Sequence, residues 1–280
     1  MTDSLMSTEQ LAGEIGAPDL KVVDATYFLA GSGRDARAEY EAAHVPGAVF
    51  MELATLVDGD NPLPNMMPPA HKFASRMQSL GIGDASRIVL YDNSSLHTSA
   101  RAWWLLRSFG APRLSILDGG LAKWQAEGWP VESGRSQKLH GHFTPQADGQ
   151  AVADKAFMLA NLEGRTHQVL DARGADRFAG GGPDGHGVAG GHIPGSANLP
   201  YTRLFNEDGT YKQGEALRAE FDASGVDLDR PLVTTCGSGV TACVLLFGAH
   251  LLGRDDVKLY DGSWSEWGAD PATPKAVQGA

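Results

Sequence analysis

The sequence predicts an α/β protein made of two tandem copies of one domain, each a parallel sheet flanked by helices. The first observation is internal repetition, which has to be sought before any motif is interpreted. Val22-Val23-Asp24-Ala25 recurs as Val169-Leu170-Asp171-Ala172, and Ala43-His44-Val45-Pro46-Gly47 recurs as Gly191-His192-Ile193-Pro194-Gly195. Ile88 to Asp92 aligns with Leu232 to Cys236, Leu117-Asp118-Gly119 with Tyr260-Asp261-Gly262, and each copy closes on a tryptophan, Trp124 or Trp267. The second observation is alternation of short β-branched runs with helix-period segments, the pattern of βαβ units and hence of a parallel sheet. The third is size: 280 residues, 42% of them hydrophobic, suffice for two domains that each bury a core.

In chain order, Lys21 to Asp24, Arg87 to Tyr91 and Ser115 to Leu117 read as strands of the first copy, with helices from His71 to Leu80 and from Ser99 to Phe109. The stretch after residue 133 is poor in large apolar side chains and rich in Gly, Ser, Gln and His, as a linker is. Expected boundaries are therefore 1–133 for the first domain, 134–150 for the linker and 151–280 for the second domain. In the second copy a buried strand ends at Cys236, and a helical run from Ala242 to Leu252 stops at Gly253, where a C′ glycine belongs. Ligands of parallel sheets bind beyond the carboxyl ends of the strands, so Asp92 and Cys236 fall on the binding edges.

Composition excludes several classes of function. With 23 basic and 34 acidic residues, a net charge of -11, the chain repels a polyanion, so no nucleic-acid partner is expected. The longest apolar run, Cys243 to Leu252, is interrupted by His250 and falls short of the ~20 residues that span a bilayer, so no membrane partner is expected either. The opening residues have neither the basic cluster nor the apolar stretch of a leader, and a cytoplasmic location follows as the expectation. Only two cysteines occur, Cys236 and Cys243, and free thiols fit a reducing compartment. No CxxC occurs, and His140 and His142 have no evident co-ligands, so neither a metal nor a cofactor is expected.

The run Cys236-Gly237-Ser238-Gly239-Val240-Thr241 joins a strand to a helix through a loop with two glycines. That order points several backbone N–H groups at the loop centre, and the helix dipole adds positive potential there. A free cysteine ionises near pH ~8.5, and such surroundings favour its thiolate. Cys243, inside the apolar helical run, reads as a core residue. The sixth residue after Cys236 is Ala242, not the arginine that a cysteine phosphatase or arsenate reductase uses to clamp its oxyanion. Transfer of a neutral sulfur atom, leaving a persulfide, suits the loop better. In the first copy the equivalent segment, Asn93 to Ala100, has no glycine and is expected not to curl its N–H groups around a thiolate as the second copy does.

These motifs resemble the rhodanese superfamily, and within it the two-domain sulfurtransferases that use mercaptopyruvate. CGSGVT at Cys236 to Thr241 carries most of the resemblance, with GHIPG at Gly191, DARxxxRF at Asp171, SARAWW at Ser99 and YDGSWSEW at Tyr260. Thiosulfate-preferring relatives usually carry basic residues after the cysteine. The resemblance implies a catalytically silent first domain, with which Asp92 at the cysteine position agrees, and an active second one. It implies Cys236 as sulfur acceptor, Gly237, Ser238, Gly239, Val240 and Thr241 as the amide cradle, and Arg177 as the clamp on the substrate carboxylate. It further implies a proton relay of Ser238 with His44 and Asp35, although His192 repeats His44 in the other copy, where a loop-pinning role is the alternative. Arg173 and Asp171 read as a structural pair. The family's second carboxylate-binding arginine has no counterpart in Ala179 to Gly187, where Asp184 and His186 stand. The expected donor is 3-mercaptopyruvate, with thiosulfate as the alternative and a non-catalytic binding module as a third reading. Cyanide, a small thiol or a thioredoxin-like protein is the expected acceptor.

Overall fold

A computed structural model describes residues 4–135, 140–181 and 188–277. The chain forms two compact units. Unit 1 comprises residues 1–58, 67–148 and 207–210, and unit 2 comprises residues 59–66, 149–206 and 211–280, so two short segments cluster with the opposite half of the sequence.

Unit 1 runs β1 (Leu5–Met6), α1 (Thr8–Glu14), β2 (Leu20–Asp24), α2 (Ala36–Ala42), β3 (Val49–Phe50), α3 (Ala70–Ser79), β4 (Arg87–Tyr91), α4 (Ser99–Ser108), β5 (Leu114–Leu117) and α5 (Gly120–Ala126). Its sheet has the order β1-β5-β4-β2-β3 and every pairing is parallel. Register follows burial. Val23 pairs with Leu90 and both are buried, as a sheet covered on both faces requires. The cluster of Val22, Val89, Tyr91, Leu117 and Trp124 forms one face of that core.

Unit 2 repeats the plan with β6 (Val152–Ala153), α6 (Lys155–Gly164), β7 (Gln168–Asp171), α7 (Ala175–Ala179), β8 (Ala197–Asn198), α8 (Gly214–Ala223), β9 (Leu232–Thr235), α9 (Ala242–Leu251), β10 (Lys258–Tyr260) and α10 (Ser263–Trp267). Its order, β6-β10-β9-β7-β8, matches that of unit 1 place for place, again all parallel. Helix α9 is buried over Ala242 to Ala249, which is why its sequence is apolar all round instead of striped. It ends as its sequence predicts: Gly253 takes φ +84° and the amide of Arg254 reaches back to the carbonyl of Ala249. Midway along it, Gly248 admits a close neighbour, since a Cβ there would stand 2.7 Å from Leu204 Cδ1. Leu204 ends a 3-10 turn, Tyr201–Leu204, and Gly248 thereby lets that turn lie against α9.

Two arrangements at equivalent strand ends show how the copies diverge. Asp171 closes β7 and is held by Arg173, whose Nη2 donates to its Oδ2 at 2.7 Å and to the carbonyl of Gly191 at 2.8 Å, with the guanidinium over the Trp264 ring. This is the structural pair expected from the sequence. In unit 1, Thr26 stands where Arg173 does, and its amide donates to Asp24 Oδ1 at 2.8 Å. Lacking a cation, the Asp24 carboxyl is pushed up to about 6, chiefly by burial, with the hydrogen bonds of Thr26 and Tyr91 opposing.

Candidate active site

Cys236 follows directly on β9 and is buried. The loop that begins there turns through Gly239, at φ +75°, and enters α9 at Ala242. Its carbonyl groups are held from outside. Trp264 N donates to Cys236 O at 3.0 Å, Ser265 N and Oγ donate to Gly237 O at 2.8 and 2.7 Å, and Cys243 Sγ donates to Gly239 O at 3.3 Å. Among the described residues, the amides of Gly237, Ser238, Val240 and Thr241 donate to no backbone carbonyl. A planar trans peptide aims its C=O and N–H in opposite directions, so carbonyls pinned outward turn the amides that follow inward. The result is a cradle for an anion. Cys236 N is itself satisfied by Ser263 Oγ at 3.1 Å, and that hydroxyl donates onward to Tyr260 O at 2.8 Å. Cys243 is fully buried in α9, consistent with a core residue, although its thiol also supports the loop.

Arg177 lies in the last turn of α7 on the exposed side of that helix, while its neighbour Phe178 is buried. Tyr201 links it electrostatically to the cysteine: burial raises the phenol, the charge of Cys236 raises it further, and the charge of Arg177 lowers it. Tyr201 carries no motif signal and is missed by sequence reasoning. Asn65 is missed too. It belongs to the short segment that clusters with unit 2, takes φ +60°, which asparagine tolerates, and donates from Nδ2 to Ser238 Oγ at 3.0 Å. Ser238 Oγ accepts that bond and keeps its own proton to donate. Thr241, at the N-cap of α9, makes no capping bond with its side chain.

His44 and Asp35 belong to unit 1 and are engaged there. The His44 ring stacks on Tyr40 at 4.1 Å and its Nδ1 is 2.7 Å from Tyr40 O. His192 does the same in unit 2, stacked on Phe178 at 3.8 Å with Nδ1 2.8 Å from Phe178 O. Both are buried. The two histidines thus share one geometry, with Nδ1 engaged and the ring stacked. Asp35 is the N-cap of α2, its Oδ1 accepting from Arg37 N at 3.0 Å and Ala38 N at 3.1 Å. The missing second arginine concerns residues 182–187, which lie outside the described residues.

The loop of unit 1 corrects one expectation. It does curl around an anion, because Asp92 Oδ1 accepts from Ser94 N at 2.9 Å and Oδ2 from Ser99 N at 2.8 Å. His97 supplies the left-handed residue at φ +50°, in place of the glycine that the sequence lacks. The equivalence of Tyr40 with Phe178 also makes Glu39 the counterpart of Arg177: unit 1 has an acid where unit 2 has a guanidinium, and Glu39 is paired with Arg34 at 2.6 Å.

The rhodanese-like domain family matches this chain twice, over residues 7–127 and 155–270. The chain belongs to that family. A 3-mercaptopyruvate sulfurtransferase of Mus musculus is 42% identical over 271 residues, covering 94% of this chain and 91% of the relative. A thiosulfate sulfurtransferase of Cricetulus griseus is 40% identical over 273 residues, with the same two coverages. The crystal structure of a 3-mercaptopyruvate sulfotransferase from Escherichia coli superposes with a TM-score of 0.86 at 38% identity, covering 95% of this chain and all of that one. The fold class and the family expected from the sequence are both met.

Proposed function

We propose that this rhodanese-family protein is a 3-mercaptopyruvate sulfurtransferase that carries sulfur as a persulfide on Cys236. The observation that supports the reading is the loop at the end of β9, where the buried Cys236 opens a segment whose carbonyls are held by Trp264, Ser265 and Cys243 and whose amides at 237, 238, 240 and 241 donate to no described backbone carbonyl. Arg177 forks onto the planar carboxylate of the donor. The Cys236 thiolate attacks the donor sulfur, the S–C3 bond breaks, and its electron pair leaves on C3 as the enolate of pyruvate, which takes a proton. The cradle holds the negative charge of the sulfur. Tyr201, its phenol raised by burial, stays protonated and offers a hydrogen bond. The acceptor, whether cyanide, a small thiol or a thioredoxin-like protein, then attacks the outer sulfur and releases the Cys236 thiolate.

Thiosulfate is the second reading for the donor, and the hamster relative's name favours it. The loop, however, offers that dianion no lysine or arginine. A carboxylate held by Arg177 without a partner arginine implies a high KM for mercaptopyruvate. No described helix is long and apolar enough to cross a membrane, and the cytoplasm is the location proposed.

The test combines mass and kinetics. Donor-treated wild type gains one sulfur atom, removed by cyanide, and Cys236→Ser gains none while Cys243→Ser still does. Arg177→Ala lowers kcat/KM for mercaptopyruvate more than for thiosulfate. A wild type that prefers thiosulfate, or a variant equally impaired with both donors, overturns the choice of donor.

A further inference from the structure

Ser265 sits on α10, and its hydroxyl is engaged by the cysteine loop at Gly237 O. We propose that its hydroxyl is a positioning group for sulfur transfer: by fixing Gly237 O from outside it aims the Ser238 amide at the Cys236 sulfur. The inference rests on Cys236 being the sulfur carrier. Ser265 gives Gly237 O two donors, N at 2.8 Å and Oγ at 2.7 Å, and the side chain is buried, so water does not substitute for it. The carbonyl of Gly237 and the amide of Ser238 belong to one rigid trans peptide, so holding one end sets the other.

The chain contains its own control. At the equivalent place in unit 1, Leu121 N donates to Asp92 O at 3.1 Å, the counterpart of Trp264 N on Cys236 O at 3.0 Å. That bond alone is shared. Among the described residues no counterpart of the Ser265 pair exists, because Ala122 stands at that position and its amide does not reach the loop. The residue two positions earlier differs in the same sense. Gly120 takes φ +59° freely, whereas Ser263 takes φ +49° against its own steric preference while its hydroxyl holds Cys236 N. On the following helix, hydroxyls therefore stand behind the loop at 263 and 265 in the copy that has the thiol, where the other copy has Gly120 and Ala122 and holds its loop instead through Thr26 Oγ1, which accepts from Asn93 N at 2.9 Å.

The experiment compares Ser265→Ala, Ser265→Thr and a control, Ser224→Ala, which removes a hydroxyl-to-carbonyl bond of 2.6 Å onto Phe221 O at the end of α8. The first readout needs no sulfur donor: the second-order rate of Cys236 alkylation by iodoacetamide, followed at its peptide by mass spectrometry. The second is kcat and KM with mercaptopyruvate. Ser265→Ala slows alkylation and kcat about fivefold, which converts to about 1 kcal/mol, one net hydrogen bond, and leaves KM within about twofold. Ser265→Thr and Ser224→Ala stay within about twofold of wild type in both. Alkylation of Ser265→Ala at the wild-type rate, equal slowing by Ser224→Ala, or failure of threonine to rescue overturns the proposal. Wild type that is alkylated readily yet takes no sulfur from mercaptopyruvate refutes the donor assignment, and the alkylation series still decides the role of Ser265.

Discussion

Asp24 offers the sharpest test of how unit 1 is held together. Its carboxyl lies buried at the end of β2 with a value of about 6, against 3.8 for the ordinary group, and no arginine beside it comparable to Arg173. A folded-state value above the unfolded one means that the folded state binds the proton more tightly. Folding is therefore favoured at low pH, and this contribution is lost as pH rises from about 4 through about 6. The two-unit difference amounts to about 3 kcal/mol of destabilisation by the ionised group at pH 7.5, at ~1.4 kcal/mol per unit. Asp24→Asn keeps an oxygen to accept from Thr26 N and removes the charge. For a unit of this size the relief corresponds to a rise of roughly 6–12 °C in the transition of unit 1 at pH 7.5, and to almost none at pH 4. Scanning calorimetry at both pH values measures it. A Tm gain equal at the two, or a loss at pH 7.5, would refute the claim that burial without a counter-charge governs Asp24.

Two further substitutions probe the loops. Asp92→Cys places a thiol in a loop already curled by Ser94 N and Ser99 N, so it is alkylated by iodoacetamide, yet it takes up no sulfur from mercaptopyruvate, because Glu39 stands where Arg177 does in unit 2; two sulfur atoms per chain by intact mass would contradict this. Asn65→Ala removes the donor to Ser238 Oγ and lowers kcat/KM about fivefold, the worth of one hydrogen bond, with little change in Tm; unchanged kinetics would remove Asn65 from the site.

Much of this fold was legible because duplication wrote it twice. Strands β2, β4 and β9 are runs of β-branched and aromatic residues long enough to stand out, and α3, α4 and α9 end within one residue of their expected positions. The outer strands β1, β3, β6 and β8 are two residues each and carry no periodicity to read. Cys236 was legible because its glycines and the following helix are adjacent in sequence. Asn65 was not, since it meets Ser238 across 173 positions, and Tyr201 was not, since its placement depends on Leu204 seating over Gly248. The curl of the Asp92 loop was misjudged for a different reason: absence of glycine argues against a left-handed turn on average, but the two amide bonds to a buried carboxylate outweigh the modest cost of His97 at φ +50°.

The filled loop of unit 1 bears on how two copies of one fold come to differ at the same strand end. Buried amides need an acceptor, and the amides of Ser94 and Ser99 find theirs in one side chain of their own loop, Asp92. Those of Gly237, Ser238, Val240 and Thr241 meet no described backbone carbonyl. One copy thus closes its loop on itself, with a group that has no sulfur to offer, while the other ends the same strand on a thiol.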